Sequence, residues 1–309
     1  ETVTGVALGD FTVGNGTASN LIPVSGTVYT VDITPSGQGA VTVDVNAGIA
    51  ADAATNGNTA AAQLSRTYDS VAPTVVLTSP APNPFNSATF TVTATFSETV
   101  TGVALGDFTV GNGTASNLIP VSGTVYTVDI TPSGQGAVTV DVGAGVAADA
   151  ATNGNTAAAQ LSRTYDSVAP TVAISASVSS TNAMFVATIT FSESVTGFVD
   201  TDITVSNGTV SNFAGSGTTY TADITPGVEG AVTVDVGAGV AADAATNGNT
   251  VAVQLSITYD TTPPACNVTA PANFDTVYST VNITSSASDG LSGVEYVEFF
   301  IDGSSIGTD

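Results

Sequence analysis

The sequence predicts an all-β protein made of small two-sheet sandwiches that follow one another like beads on a string. Three observations lead to this fold class. Residues 1–75 recur as residues 98–172 with only two differences, and a looser third copy runs from residue 193 to residue 260. Apolar and polar residues alternate along most of each copy, which is the period of a half-buried strand. The repeat length of 97 residues suits one small domain per copy.

The complete second copy shows the elements in order. In residues 90–96, Phe, Val, Ala and Phe alternate with threonines, which predicts a strand with one buried face. Turn signals such as Gly111-Asn112-Gly113 separate this run from the others. Seven short strands in one repeat favour a sandwich over a parallel β-helix, whose rungs are far shorter. The predicted strands are residues 75–78, 88–97, 103–110, 115–118, 124–131, 137–142 and 157–165.

Tyr-Asp pairs followed by prolines mark the boundaries between copies. Proline fixes φ and extends the residue before it, so these short linkers predict stiff connections. The first copy starts in the middle of the repeat pattern, which predicts that the sequence is a window onto a longer protein. The predicted domains are module 1 (residues 1–68, lacking the first two strands), module 2 (residues 69–165), module 3 (residues 166–260) and a tail (residues 261–309) that is a partial module of another type.

The composition excludes several classes of function. Twenty-six acidic residues face two arginines, and the net charge of −24 argues against binding to nucleic acid or to anionic lipid. Histidine is absent and Cys266 is the single cysteine, so no Ser-His-Asp or Cys-His set, disulfide or thiolate cluster is possible within the chain. We therefore expect no enzyme and no membrane insertion in this segment. In the alternation of their strands, Arg66 and Arg163 occupy positions whose side chains point inward. We therefore expect each guanidinium to reach outward to a carboxylate.

Several short motifs recur together across residues 1–260. As a set they resemble the bacterial immunoglobulin-like (Ig-like) repeats of large secreted adhesins, and the tail resembles another bacterial Ig-like subtype. The resemblance implies Greek-key sandwiches that form a stalk in a secreted or cell-surface protein, often with structural calcium. The motifs are Ala-Pro-Thr-Val at 72–75 and 169–172, Phe-Ser-Glu at 96–98 and 191–193, Gly-Asp-Phe-Thr-Val at 106–110 and Asp-Ala-Ala-Thr-Asn-Gly-Asn at 149–155.

An Ig topology would gather acidic residues at the pole of each module that faces its predecessor, where the first strand and the B–C and F–G loops meet. Oxygen ligands without histidine or thiolate select a hard cation, and we expect structural Ca²⁺. The alternative is that these residues only cap turns. The predicted ligands are Asp69, Glu98, Asp107 and Asp149 at one junction and Asp166, Glu193, Asp202 and Asp243 at the next, with Asp200 and the side-chain carbonyls of Asn153, Asn155, Asn247 and Asn249 as further candidates.

These features predict the stalk or extender of a bacterial surface adhesin or extracellular fibre, with junctions stiffened by calcium. Its partners would be neighbouring Ig-like modules or subunits, and an adhesive target would lie elsewhere. One alternative is a filament subunit in which the tail of one chain completes module 1 of the next by strand addition. Another is a carbohydrate-binding accessory module, although tryptophan, the usual sugar platform, is absent.

Overall fold

The computed structural model describes residues 1–308, and the described residues confirm the predicted all-β class. Regular structure consists of strands and three short 3₁₀ turns, and no α-helix occurs among the described residues. The chain separates into two compact units. One contains residues 1–81 and 88–163, and the other contains residues 82–87 and everything from Thr164 onward.

Module 2 shows the complete arrangement of strands. A four-stranded sheet has the order Val75–Thr78, Phe90–Phe96, Val125–Pro132, Gly113–Pro120, and a three-stranded sheet has the order Leu161–Tyr165, Gly136–Val142, Phe108–Gly111. All three pairings in the four-stranded sheet are antiparallel. Strands that are adjacent in a sheet are often distant in sequence, which is the Greek-key pattern of a sandwich.

Module 3 repeats this plan with longer strands. Its three-stranded sheet has the order Val172–Ser175, Phe185–Val195, Gly208–Pro226. Its four-stranded sheet has the order Ser180–Thr181, Leu255–Tyr259, Gly230–Val236, Ile203–Ser206. The short strand Ser180–Thr181 pairs in parallel with the end of Leu255–Tyr259. The tail contains two hairpin-like sheets, Ala265–Ala270 with Thr284–Ser288 and Glu298–Ile301 with Ser304–Thr308.

Module 1 contains fewer strands than module 2. Its three-stranded sheet has the order Phe11–Gly14, Gly39–Val45, Leu64–Tyr68, and its second sheet contains only Gly16–Ser25 and Val28–Pro35. No strand of module 1 corresponds to Val75–Thr78 or Phe90–Phe96 of module 2 among the described residues. Consequently several of its apolar side chains are less buried than their equivalents in module 2.

The core of each complete module lies between its two sheets. In module 2 the alternating side chains of Val128, Ile130, Val138 and Val140 are fully buried. Each such aliphatic side chain contributes roughly 1.5–3 kcal/mol through removal from water. Tyr126 closes one end, because its hydroxyl donates to the Val100 carbonyl at 3.2 Å. Module 3 has an equivalent tyrosine, Tyr220, in a cluster of four aromatic rings.

Two local expectations are wrong. The strand predicted to begin at residue 103 begins only at Phe108, because residues Leu105–Asp107 form a 3₁₀ turn. The Asp107 carboxylate accepts the Ala104 N–H at 2.7 Å and so stabilises this turn. The Arg163 guanidinium donates to main-chain carbonyls rather than to a carboxylate. Its acceptors are the carbonyls of Ser162 at 2.9 Å, Ser79 at 3.2 Å and Ala81 at 3.3 Å.

Candidate metal centres at the junctions

The linker between modules 1 and 2 is held by hydrogen bonds on both sides of Asp69. The Asp69 carboxylate accepts the Val71 N–H at 3.0 Å and forms a tight turn. Ser70 and Gln38 form a reciprocal pair: the Gln38 amide donates to the Ser70 hydroxyl at 2.8 Å, and the Ser70 N–H donates to Gln38 Oε1 at 3.2 Å. These bonds join the linker to a loop of module 1.

Glu98 is brought close to the linker by the first strands of module 2. The strand Phe90–Phe96 pairs with Val75–Thr78, and the pairing continues just beyond it. Ser97 N–H donates to the Thr74 carbonyl at 2.9 Å, and Thr74 N–H donates to the Ser97 hydroxyl at 3.0 Å. Glu98 follows immediately, so its side chain emerges at the pole where the linker enters the module.

Asp149 reaches the same pole from the loop that follows the strand Gly136–Val142. Its Oδ1 accepts the N–H groups of Ala151 and Asn153, both at 2.8 Å, and its Oδ2 accepts the Asn153 side-chain amide at 2.8 Å. That amide also donates to the Asp69 carbonyl at 3.2 Å. Asn153 therefore ties the loop to the linker, and Asp149 is held in a fixed, buried position.

The three carboxylates converge closely enough to share one cation. One oxygen each from Asp69, Glu98 and Asp149 lies within 4.8 Å of the others. Oxygens bound to the same Ca²⁺ at about 2.3–2.6 Å can be separated by at most about 5 Å, so this spacing is compatible with a shared ion. Carboxylate oxygens are also the ligand type that a hard divalent cation prefers.

The convergence of the three carboxylates disfavours the ionised form of Glu98. Partial burial raises the pKa of Glu98 above its ordinary value, and the negative charges of Asp149 and Asp69 raise that pKa further. By contrast, the hydrogen bond from the Asn153 side chain lowers the pKa of Asp149, with main-chain N–H groups assisting. The loop thus favours the ionised form of Asp149, and the repulsion between the carboxylates raises the pKa of Glu98.

The junction before module 3 repeats the arrangement. Asp166, Glu193 and Asp243 also lie within 4.8 Å of one another through one oxygen each. Asn247 donates to Asp243 Oδ2 at 2.8 Å and to the Asp166 carbonyl at 3.0 Å. Burial and then the charges of Asp243 and Asp166 raise the pKa of Glu193. Modules 2 and 3 differ in sequence at many positions and still share this geometry, which indicates that the geometry belongs to the repeat.

Several predicted ligands lie outside these two groups. Asp107 caps its own 3₁₀ turn, and Asp202 accepts the Val199 N–H at 2.9 Å in the equivalent turn. Asp200 accepts the Thr201 N–H at 2.9 Å. The Asn155 and Asn249 side-chain carbonyls are occupied, because each accepts a main-chain N–H at 2.8 Å inside its own loop. Asn153 and Asn247 orient carboxylates through their amide groups.

The sequence reasoning missed two kinds of contributing residue. Gln38 was not recognised as the residue that fixes the linker, although Glu229 occupies the equivalent position in module 3 and also contacts a linker. Asn86 was also missed, and its amide donates to Asn247 Oδ1 at 3.1 Å. The recurrence of a Gln or Glu before the Gly-Ala-Val-Thr-Val strand was the available signal for the first. No sequence signal pointed to Asn86.

The junction after module 3 is built differently. Glu229 accepts the Thr261 N–H at 3.0 Å and the Thr262 hydroxyl at 2.8 Å, and hydrogen bonds from these threonines lower its pKa. Asp260 accepts the N–H groups of Thr262 and Ser292, both at 2.9 Å. Asp289 lies close to Asp260 and accepts the same Ser292 N–H, but hydrogen-bond donors dominate around these acids and lower the pKa of both Glu229 and Asp260. Within residues 1–308, only the two earlier junctions bring three carboxylates together in this way.

Comparison with known families accounts for the whole array. A family model described as "Bacterial Ig-like domain" matches residues 1–68, 69–165 and 166–259. The chain belongs to this family of bacterial Ig-like domains. A second model, described as "Bacterial Ig domain", matches residues 264–309. The Ig-like modules 1 to 3 and the tail thus correspond to two related families, which confirms the resemblance read from the motifs.

Solved structures include Ig-like proteins with low sequence identity to this chain. The Escherichia coli adhesin FdeC is 16% identical, covers 81% of this chain and 85% of its own, and has a TM-score of 0.38. InvD of Yersinia pseudotuberculosis is also 16% identical, covers 70% of this chain and 69% of its own, and has a TM-score of 0.30. No curated protein matches this Ig-like chain at a significant level.

None of the helices in the described residues has the length and apolar character needed to cross a membrane.

Proposed function

We propose that this chain is an extracellular spacer of a bacterial surface adhesin or fibre, and that a divalent cation, Ca²⁺, stiffens its two acidic junctions. One observation carries the proposal. Each of these junctions gathers three carboxylates, and the central glutamate is held there against electrostatic repulsion. A tandem array supplies length and repeated surfaces, and fixed angles between modules are what a spacer requires.

The charge balance supports a cation at these sites. The chain has no lysine, and only two arginines accompany its 26 acidic residues. Arg163 donates to carbonyls, and Arg66 donates to the Ser65 carbonyl at 2.9 Å. Neither arginine is bonded to a junction carboxylate. Clustered carboxylates without a basic partner disfavour one another's ionised forms, and a bound divalent ion reverses that effect.

The positions of the three ligands explain how an ion would stiffen a junction. Asp69 belongs to the linker, Glu98 follows a strand of module 2, and Asp149 belongs to a loop of module 2. One ion bound to all three would connect the linker to two separate elements of the module it enters. At an ion concentration about tenfold above Kd, the folded state would gain about 1.4 kcal/mol per site.

The proposed role is mechanical, and it requires no catalysis. The acidic surface suits a secreted protein exposed to millimolar calcium, since extracellular modules commonly bind Ca²⁺ near 10⁻⁴–10⁻³ M. Neighbouring modules of the same kind would be its structural partners. The adhesive target would be contacted by another part of the assembly, because the modules repeat one surface without a distinct binding tip.

Calorimetric titration of the full chain with CaCl₂ tests the proposal. We expect about two sites per chain, and the double variant Glu98→Gln/Glu193→Gln should lose most of the binding. A matched control is Asp129→Asn/Asp223→Asn, which removes the same charge from mid-strand positions outside the junctions. Equal heats for wild type and the junction variant, or equal losses in both variants, would refute the proposed sites.

A further inference from the structure

Residues 82–87, here called the strap, connect the first two strands of module 2 and run beside the linker to module 3. The strap belongs to the same compact unit as Thr164 and the residues that follow it. Phe85 pairs in parallel with Tyr165. Its N–H donates to the Thr164 carbonyl at 2.9 Å, and its carbonyl accepts the Asp166 N–H at 2.8 Å. The strap is therefore bonded through its main chain to the linker itself.

Side chains reinforce this main-chain pairing. Phe85 is only 1% exposed, and its ring centroid lies 5.3 Å from that of Tyr165 with a tilt of 52° between the rings. Asn83 Oδ1 accepts the Thr164 N–H at 2.8 Å. A buried, tilted aromatic pair and a further hydrogen bond hold the strap in one position. The residue that follows Phe85 is therefore presented at a fixed point.

That residue is Asn86, and it contacts module 3 directly. Its amide donates to Asn247 Oδ1 at 3.1 Å and to the Thr246 hydroxyl at 3.4 Å, both in the loop that follows the strand Gly230–Val236. The Asn247 amide in turn donates to the Asp166 carbonyl at 3.0 Å. The strap, the linker and the loop thus form one closed circuit of hydrogen bonds, and none of these bonds requires an ion.

Module 3 carries an equivalent segment at its own linker. Thr181 takes the place of Phe85, because it lies in a short strand parallel to the last strand of module 3 and its carbonyl accepts the Asp260 N–H at 2.9 Å. The next residue is again an asparagine, Asn182, which lines a cavity together with Ser292 of the tail. The correspondence appears only in the structure, because the two asparagines are spaced differently from the strand that follows each of them.

We propose that the strap is an ion-independent clasp on the next Ig-like module, and that Asn86 is the residue that secures it. The strap is continuous with strands of module 2 at both ends, so it adds a second connection to module 3 beside the covalent linker. The partner that it fits is a module whose loop offers a side-chain acceptor at the position of Asn247. The clasp would hold this junction ordered whether or not its carboxylates bind a cation.

Hydrogen exchange of the full chain in chelator, followed by mass spectrometry, tests the clasp. Peptides that cover residues 82–87, 164–166 and 243–249 should be protected in the wild type. Asn86→Ala should make the amides of 243–249 exchange about tenfold faster, because the loop loses a donor and Asn247 Oδ1 is left without one. Ser87→Ala is the matched control, since it shortens an exposed side chain of the same strap and should leave exchange unchanged.

Two results would overturn the proposal. One is equal exchange of residues 243–249 in Asn86→Ala and Ser87→Ala, and the other is an unprotected strap in the wild type. Exchange of the buried strand Phe185–Val195 should be the same in all three proteins, which shows that the fold of module 3 is intact. Both variants keep every junction carboxylate and exchange is measured without calcium, so failure of the clasp is distinct from failure of the metal proposal.

Discussion

Among single residues, Glu98 and Glu193 differ from the other acids of the junctions. Each is held near two aspartates, and burial and repulsion raise its pKa. Asp149 has the opposite shift, because hydrogen bonds to Asn153 and neighbouring N–H groups favour its ionised form. The opposite shifts distinguish Asp149, whose ionised form the loop stabilises, from Glu98, whose ionised form burial and neighbouring charges disfavour.

The shift of Glu98 predicts how Glu98→Gln changes stability in chelator. A carboxyl whose pKa is raised by folding contributes stability below its unfolded pKa, and this contribution is lost as pH rises through the folded pKa. At pH 7 without calcium, the variant should therefore melt at the same temperature as wild type or higher. With calcium the order should reverse, since the variant lacks a ligand. Scanning calorimetry in both buffers measures this, and a lower melting temperature of the variant in chelator would contradict it.

Asp149→Asn should behave in the opposite way. A carboxyl whose pKa is lowered by folding contributes stability above its unfolded pKa and loses it on acidification. The variant should therefore be less stable than wild type at pH 7 even in chelator, and the difference should shrink as the pH falls below about 4. Urea unfolding across this pH range is the measurement. A constant difference at all pH values would show that the ionised carboxylate is not what orders the loop.

The sequence was sufficient to predict all three carboxylates that the structure brings together at each junction, along with a fourth at each that lies outside the group. Asp69, Glu98 and Asp149 follow from strand ends and a recurring loop motif, combined with the topology that the resemblance implied. Asp107 could not be excluded from the pattern alone. Val-Ala-Leu-Gly-Asp-Phe-Thr-Val reads as one alternating run, and only the hydrogen bond from Ala104 N–H to Asp107 shows that the run is interrupted by a turn.

Among the secondary-structure elements, strands with strict alternation were predictable, whereas the residues at which they begin and end were less so. Phe90–Phe96 and Val125–Pro132 appear close to their predicted positions because apolar side chains every second residue specify one buried face. The burial of an element was not predictable from its sequence. Val28–Pro35 and Val125–Pro132 have the same eight residues, and only the second is covered on its free edge.

These twin strands allow a matched test of burial. Ile130→Ala should cost about 2–5 kcal/mol, because it leaves a cavity between two well-packed sheets. Ile33→Ala should cost clearly less, since its side chain is half-buried and the open face lets solvent fill the space. Calorimetry of the full chain should show a module transition lowered by about 10 °C or more for the first variant. Equal costs for the two variants would mean that the module 1 face is covered in solution.

For the whole molecule, the two acidic junctions matter because they recur. Each connects a linker residue to a strand end and to a loop of the module that follows, while the last junction uses hydrogen-bond donors instead. A cation is therefore expected to change the behaviour of the array at two points and not at the third. Hydrogen bonds such as that of Asn86 with Asn247 would hold one of these junctions partly ordered even without an ion.

Small-angle scattering with and without calcium tests the mechanical part of the proposal. If ions fix the angle at both junctions, calcium should narrow the distribution of interdomain distances and increase the maximum dimension, because fewer bent arrangements are sampled. Glu98→Gln/Glu193→Gln should scatter alike in calcium and in chelator, whereas Asp129→Asn/Asp223→Asn should respond like wild type. Magnesium is a further control, since it demands short octahedral geometry that three protein carboxylates alone do not provide. If calcium binds but the scattering of wild type does not change, the ion stabilises the modules without stiffening the array, and the spacer mechanism would have to depend on the linker hydrogen bonds alone.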